Sequence, residues 1–314
     1  MASERVYWYW AGLNVDSVFV MSAFYVVPTA SALWALAHIR ARQIHQVILG
    51  GAIFAFITEG ILTPVIYADG PLPFLASLFV GWHGMLAFVG FWYLTHLWLV
   101  ARRTRLLAVA SALFGSLWGV WAFVASFTDP PDLTEGVGRI LAPDEFALYA
   151  IGVGAVLAAS HWLISFVWPK GWKPTRASTW SVAFVAIVYF AVGVVPAVPW
   201  APIKLSLLIG GTLWLLRRTA ENEQDGQPTI FDRLAGSVRL RDVVAILPMP
   251  LAAAAIYGTI WAIDPGESAS VIVYWVFVAG QVLGGAIAYV WSARRALERS
   301  RSGTSKAALA LSRE

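Results

Sequence analysis

The chain has 314 residues, of which 59% are apolar, 13% charged and none cysteine; its formal charge is +4 and its mean hydropathy +0.69. That composition excludes an ordinary soluble globular domain, and the lack of cysteine excludes disulfides, thiolate nucleophiles and Cys-ligated metals or clusters. Long apolar runs form helices in a bilayer, because spanning strands are short and alternating, so the expected fold is an all-α polytopic integral membrane protein.

The opening MASERVYWYWAGLNVD lacks the charged, apolar, small-residue order of a cleaved signal, so a retained first span is expected over 16–38. Further spans are expected over 44–67, 74–100, 105–127, 146–168, 179–197, 201–216, 243–263 and 270–291, about nine in all. The sixth and seventh are joined by VVPAVPWAPIK, whose prolines are equally compatible with one broken segment or a short hairpin. FTDPPDLTEGVGRILAPDEF reads as an acidic loop with a short surface helix. RRTAENEQDGQPTIFDRLAGSVRLRD reads as a polar loop with an amphipathic segment near its end. Residues 1–291 thus form one transmembrane bundle, and 292–314 an inner tail that begins as a helical extension and then frays.

Charge gives an independent test of this count. With the N-terminus outside, every one of the 22 lysines and arginines except Arg5, Arg139 and Lys204 falls on the inner side. Asp16, Asp69, Asp129, Asp132, Glu135, Asp144, Glu145, Asp264 and Glu267 gather on the other. The positive-inside rule therefore places the N-terminus outside and the C-terminus inside. The excess positive charge belongs to an anionic leaflet, so membrane lipids are the expected partners and nucleic acid is not.

Two ionisable residues interrupt this apolar background, in TEGILTPVIYADGPLPFLASLFVGWHG. Glu59 precedes the turn at Gly70 by about 11 residues and His83 follows it by about 13, so both lie roughly 16–20 Å along their helices from that turn. They share a depth and would meet across adjacent antiparallel helices. An ionisable group inside a span is costly and marks function by default. A carboxyl removed from water favours its neutral, proton-bearing form, which suits a proton donor, whereas pairing with a charged imidazole favours the ion. The purely structural alternative is an interhelical hydrogen bond of roughly 0.6–2 kcal/mol.

Aromatic and proline residues accompany the pair. Trp82 precedes His83, Tyr25 and Pro28 lie halfway along the first span, and Phe54 and Phe56 lie about one turn from Glu59. Walls of Tyr25, Trp82 and Phe56 suit a polyene, quinone, sterol or prenyl chain, and ring faces stabilise positive charge. Lys204, early in the seventh span, either snorkels to the outer interface or completes such a cavity as a headgroup contact or a partner for Glu59.

His96 and His161 raise the question of haem, which needs an axial ligand from each side. His83 and His96 are separated by about 13 residues on one span, but the fifth span offers only His161. Patterns such as HxxxH or ExxH are absent and Glu59 is the only carboxylate expected to be buried, so no metal and no cofactor are expected. Pro248 and Pro250 break or kink the eighth span. The paired glycines at 50–51, 210–211 and 284–285 suit close helix contacts, not phosphate binding.

These features favour a membrane-embedded enzyme that isomerises or cyclises an isoprenoid or polyene-like substrate by proton transfer, with Glu59 as acid and His83 orienting or reprotonating it. A proton-coupled transporter or channel is the first alternative, although no internal repeat is evident. A haem- or quinone-linked redox protein is the second. The expected ligand is a lipophilic small molecule, and the chain is compatible with a homo-oligomer.

Overall fold

The computed structural model describes residues 15–68, 70–125, 141–168, 172–220 and 226–311, with the side chains of 15–22, 220 and 299–311 excepted. Among these residues each expected apolar run is helical. The helices are α1 (Val15–His38), α2 (Ile44–Leu62), α3 (Leu72–Val100), α4 (Thr104–Ala125), α5 (Pro143–Val167), α6 (Arg176–Val194), α7 (Ala201–Ala220), α8 (Leu240–Ile263) and α9 (Gly266–Leu311). Seven of them are long and apolar enough to cross a membrane, and the chain is a multi-pass, all-α membrane protein. The other two are α1, whose side chains are described only from Ala23, and α7, which carries Lys204, Arg217 and Arg218. The surface helix expected near 126–140 lies outside the described residues.

Local chemistry sets the helix ends. α2 stops at Leu62, short of the expected 67, because Pro64 has no backbone N–H and crowds its predecessor. Thr63 accordingly leaves the helical region at φ −124°, ψ 89°, and Pro64–Tyr67 forms a separate 3₁₀ turn. Gly70 then turns the chain at φ +148°, where a side chain would be strained. α5 begins with Pro143 at its first turn, and the Glu145 carboxylate accepts the Ala142 N–H at 3.0 Å. The Thr175 hydroxyl caps α6 by accepting the Ser178 N–H at 3.1 Å. The VVPAVPW junction separates α6 and α7 into two helices. The eighth span is interrupted where expected: Val244–Ile246 is 3₁₀, and a new helix starts at Pro248.

The chain divides into two compact units. The first comprises Met1–Met21, Leu94–Pro169 and Leu234–Gly280. Its core is α8 against α4 and α5, fitted through small residues. A Cβ on Gly115 would lie 2.0 Å from the Met249 carbonyl oxygen, one on Gly119 2.4 Å from that of Ala253, and one on Gly154 2.7 Å from the Pro250 ring. Pro250, the second proline of the eighth span, is therefore packed against α5. Above it Phe146 stacks on Tyr257 at 4.1 Å, and the Tyr257 hydroxyl donates to the Leu141 carbonyl at 2.8 Å.

The second unit comprises Ser22–Tyr93, Lys170–Arg233 and Gln281–Glu314. α2 is its core, with every residue from His45 to Ile61 buried. Gln46 anchors the start of α2 by accepting the Arg42 and Gln43 N–H groups at 2.6 and 2.9 Å, and it donates to Thr219 of α7 at 2.9 Å. The inner loop is stapled to the same end. The Ile230 N–H donates to the Ala41 carbonyl at 2.8 Å, Phe231 is buried, and the Arg233 guanidinium donates to the Arg42 carbonyl. The expected glycine contacts form at Gly50, Gly51 and Gly285, whereas a Cβ on Gly210, Gly211 or Gly284 would meet nothing within 4 Å.

Candidate functional site

Glu59 and His83 meet within the second unit. Long side chains on a helix lean toward its N-terminus. α2 and α3 are consecutive helices joined by the turn at Gly70, so on antiparallel neighbours Glu59 leans one way along the pair and His83 the other. Their tips converge: His83 Nε2 and Glu59 Oε1 are hydrogen-bonded. Both are withdrawn from solvent, with 6% of Glu59 and 1% of His83 exposed.

Two backbone contacts fix the helices around this bond. A Cβ on Gly51 would stand 2.8 Å from the Gly84 carbonyl oxygen, and one on Gly84 would stand 3.1 Å from that of Gly51. α2 and α3 therefore touch backbone to backbone one residue from His83. On the other side, a Cβ on Gly81 would lie 2.2 Å from the Gln281 carbonyl oxygen, and one on Gly285 would lie 2.0 Å from that of Ser77. α9 thus crosses α3 two residues before His83. The small residues Ser77, Gly81 and Gly84 let α3 be gripped closely on either side of its imidazole.

Both partners stand in π-helical backbone, Glu59 in Thr58–Leu62 and His83 in Val80–Leu94. The Thr63 N–H donates to the Thr58 carbonyl five residues back at 3.0 Å, which closes the wider turn. Such turns are rare and concentrate at functional sites. The second carboxylate oxygen also has a neighbour. Thr63 Oγ1 lies 3.2 Å from Glu59 Oε2 and 3.3 Å from the Thr58 carbonyl, so its one proton serves either acceptor. Thr63 is itself exposed, which leaves this side of the carboxyl next to the protein surface.

Rings enclose the imidazole. Trp82 stacks against His83 with centroids 5.4 Å apart and an 18° interplanar angle, and Phe54 meets it edge-on at 6.2 Å. Phe54 in turn contacts Tyr25 at 6.0 Å and Phe88 at 5.6 Å, and Phe88 contacts Trp92 at 4.6 Å. Tyr25 and Trp82 thus join the aromatic group around His83, Tyr25 through Phe54. Phe56 faces elsewhere, 6.4 Å from Tyr289. Lys204 is held with its Nζ 4.2 Å above the Trp200 ring, the Trp200 ring is 5.5 Å from Tyr67, and the Tyr67 hydroxyl donates to the Gly60 carbonyl at 2.9 Å. Lys204 is therefore linked to the residue after Glu59 through two rings. Tyr67 lies beyond the end of the span, and burial pushes its hydroxyl up to about 12 from the usual 10.0.

His96 and His161 form a second buried pair, in the first unit. Their Nδ1 atoms are 3.2 Å apart, their ring centroids 5.4 Å, and 1% and 2% of the residues are exposed. One Nδ1 carries the proton and the other accepts it. The two axial nitrogens of one haem iron would stand about 4 Å apart, twice the usual bond length, so this pair is too close to flank a haem iron.

Thr63 and Gln281 are the residues of this neighbourhood that the sequence pattern does not single out, whereas Phe54 is among the aromatic companions expected near Glu59. Thr63 stands four residues after Glu59, a spacing that brings side chains together on a helix, and Gln281 is the sole amide in an otherwise apolar stretch of α9. Compared with known protein families, characterised proteins and solved structures, the chain matches none.

Proposed function

We propose that this protein is a membrane-embedded enzyme that admits an isoprenoid or polyene-like substrate from the bilayer and isomerises or cyclises it by proton transfer. The observation that carries the reading is a buried carboxyl bonded to a buried imidazole, in π-helical backbone and beside a group of aromatic rings. In this mechanism Glu59, in its neutral form, delivers its proton to one alkene carbon and leaves a carbocation on the next. Loss of a proton from an adjacent carbon to the Glu59 carboxylate, or to His83, restores the double bond at a new position, so no oxidant or reductant is consumed. His83 holds the carboxyl in place, and the faces of Trp82 and Tyr25 stabilise the cation. The apolar outer surface meets lipid, and the route for substrate runs past Thr63. Nine crossings with the N-terminus outside and the C-terminus inside belong to the same proposal, supported by the distribution of basic residues.

The test is turnover of a polyene or isoprenoid by the purified protein in lipid. Glu59→Gln keeps the shape and removes the acid; it is expected to abolish conversion while leaving expression and ligand retention intact. Equal turnover by mutant and parent would falsify the role of Glu59. His83→Ala is expected to slow the reaction less and to alter its pH profile. A second reading, a proton-coupled transporter, draws on the His96–His161 pair, a second buried ionisable site within the spans. Proton-driven solute uptake into sealed vesicles that is lost in His161→Leu would favour it.

A further inference from the structure

Lys204 stands in the first turn of α7, in the second unit, on the side that the charge distribution otherwise leaves almost without bases. Of the three basic residues expected there, it alone falls among the described residues. It is half-buried, its Nζ sits 4.2 Å above the Trp200 ring, and no carboxylate among the described residues pairs with it. A ring face meets one side of an ammonium group and leaves its N–H donors open. Space lies beside them: Trp200 is 43% and Ile203 68% exposed, and Thr63 and Val65, at the end of α2, are exposed as well. Lys204 is also joined to that end of α2. Its neighbour Leu205 packs so closely on Gly60 that a Cβ there would stand 2.6 Å from the leucine Cδ1, and Trp200 reaches Gly60 through the Tyr67 ring and hydroxyl. Gly60 follows Glu59 directly, so the ammonium lies at the same end of this unit as the Thr63 side of the Glu59 carboxyl.

We propose that Lys204 is the recognition point for an anionic headgroup, a phosphate or carboxylate, on the lipophilic ligand, so that the substrate is an isoprenoid or polyene acid with its head at the rim and its chain toward Glu59. This inference rests on the lipophilic-substrate reading above and narrows it. A half-buried cation gains more from an anion than one in bulk water does, because the two charges attract through a less polar medium. The match is charge-assisted: acid oxygens accept from the three ammonium donors while Trp200 holds the cation in place. Snorkelling accounts for the depth of the ammonium; the headgroup supplies the counter-charge. Lys204 contributes binding and orientation and takes no part in the proton transfer.

The probes are retinyl phosphate and retinol, with inorganic phosphate as competitor, which separates the anion from the chain that carries it. Each polyene is titrated into the full-length protein in phosphatidylcholine nanodiscs, against empty discs, and followed by energy transfer from protein tryptophan. The parent is expected to bind retinyl phosphate roughly ten-fold more tightly than retinol, and an equal concentration of inorganic phosphate should displace neither. In Lys204→Met and Lys204→Gln the affinity for retinyl phosphate should fall to that for retinol, while retinol binding stays as in the parent; Lys204→Arg should keep the preference. Retention of the preference in both neutral variants overturns the proposal, as does loss of both probes from them, which marks Lys204 as structural. Loss of the preference in Lys204→Arg as well overturns it, because shape and not charge is then being read. Displacement of retinyl phosphate by an equal concentration of inorganic phosphate overturns it too, since the site then takes the free anion. Equal binding of the two polyenes by the parent overturns it and leaves the lipophilic-substrate reading standing. Failure of the parent to bind either overturns both.

Discussion

Replacing Glu59 and His83 by leucine, singly and together, tests whether the two side chains depend on each other. His83→Leu leaves Glu59 Oε1 buried without its partner, with only the Thr63 hydroxyl near the other oxygen. Glu59→Leu likewise strands the imidazole Nε2 among Phe54 and Trp82. Leaving one such group unsatisfied costs about 1–3 kcal/mol, whereas replacing both by apolar groups of similar shape is nearly neutral. Hydrogen bonds between membrane helices show smaller couplings, about 0.6 kcal/mol on average and up to roughly 2. The double-mutant cycle is therefore expected to give a coupling between these limits, with the double variant more stable than the sum of the single losses implies. Reversible unfolding in mixed micelles of increasing sodium dodecyl sulfate content measures it. A coupling indistinguishable from zero would refute the pairing, and with it the site. Glu59→Gln belongs in the same series, because an amide can still bond the imidazole: it should keep most of the coupling while losing turnover.

The other predictions concern the frame and the outer rim. Gly84→Val inserts bulk where even a Cβ would stand 3.1 Å from the Gly51 carbonyl oxygen, and should destabilise by about 1–3 kcal/mol in the same unfolding assay. Gly210→Ala, with nothing within 4 Å of the new Cβ, should be neutral or stabilising by up to about 1 kcal/mol. Tyr67 gives a pH signature. Its folded-state value is raised from 10.0 to about 12, so the stability it contributes is complete below pH 10 and is lost as the pH climbs to 12. Tyr67→Phe should flatten this alkaline loss in melting curves taken across that window; an unchanged slope would show that Tyr67 is not its source. Since the chain has no native cysteine, Ser302→Cys and Ser268→Cys report sidedness directly. An impermeant thiol reagent added outside intact cells should label the second and spare the first.

The helices and the central pair were legible in the sequence for the same reason: polar residues are so sparse that each has a definite place. Glu59 and His83 lie at similar distances from one turn, and an antiparallel pair of helices brings such positions together. Partner choice among helices was less legible. Paired glycines flag close contact without naming the partner, and Gly210, Gly211 and Gly284 carry the same pattern with nothing near them. Phe54 and Phe56 are equally close to Glu59 along the chain, yet only Phe54 reaches His83 while Phe56 turns to Tyr289. Which one faces the imidazole depends on helix rotation, and a uniformly apolar helix has no polar face from which to read it.

The π-helical backbone has no sequence signature here, and it bears on why the site holds together. A π turn is a rare and usually short departure from the α-helix, yet Val80–Leu94 sustains it for 15 residues around His83. Such a segment persists when surrounding contacts determine the backbone more strongly than its own hydrogen bonds do. Those contacts are present: Gly84 is pressed against Gly51 on one side and Gly81 against Gln281 on the other. The glycines that permit this approach therefore hold the wide turn that carries the imidazole, and in the proposed mechanism they would act on the chemistry only through it. It follows that Gly84→Val should damage turnover more than its loss of stability alone implies, because it shifts the backbone that aims His83 at Glu59. Activity per folded molecule, measured beside the unfolding curve, separates the two effects: a fall in activity no greater than the fall in folded fraction would show that the glycine serves packing alone.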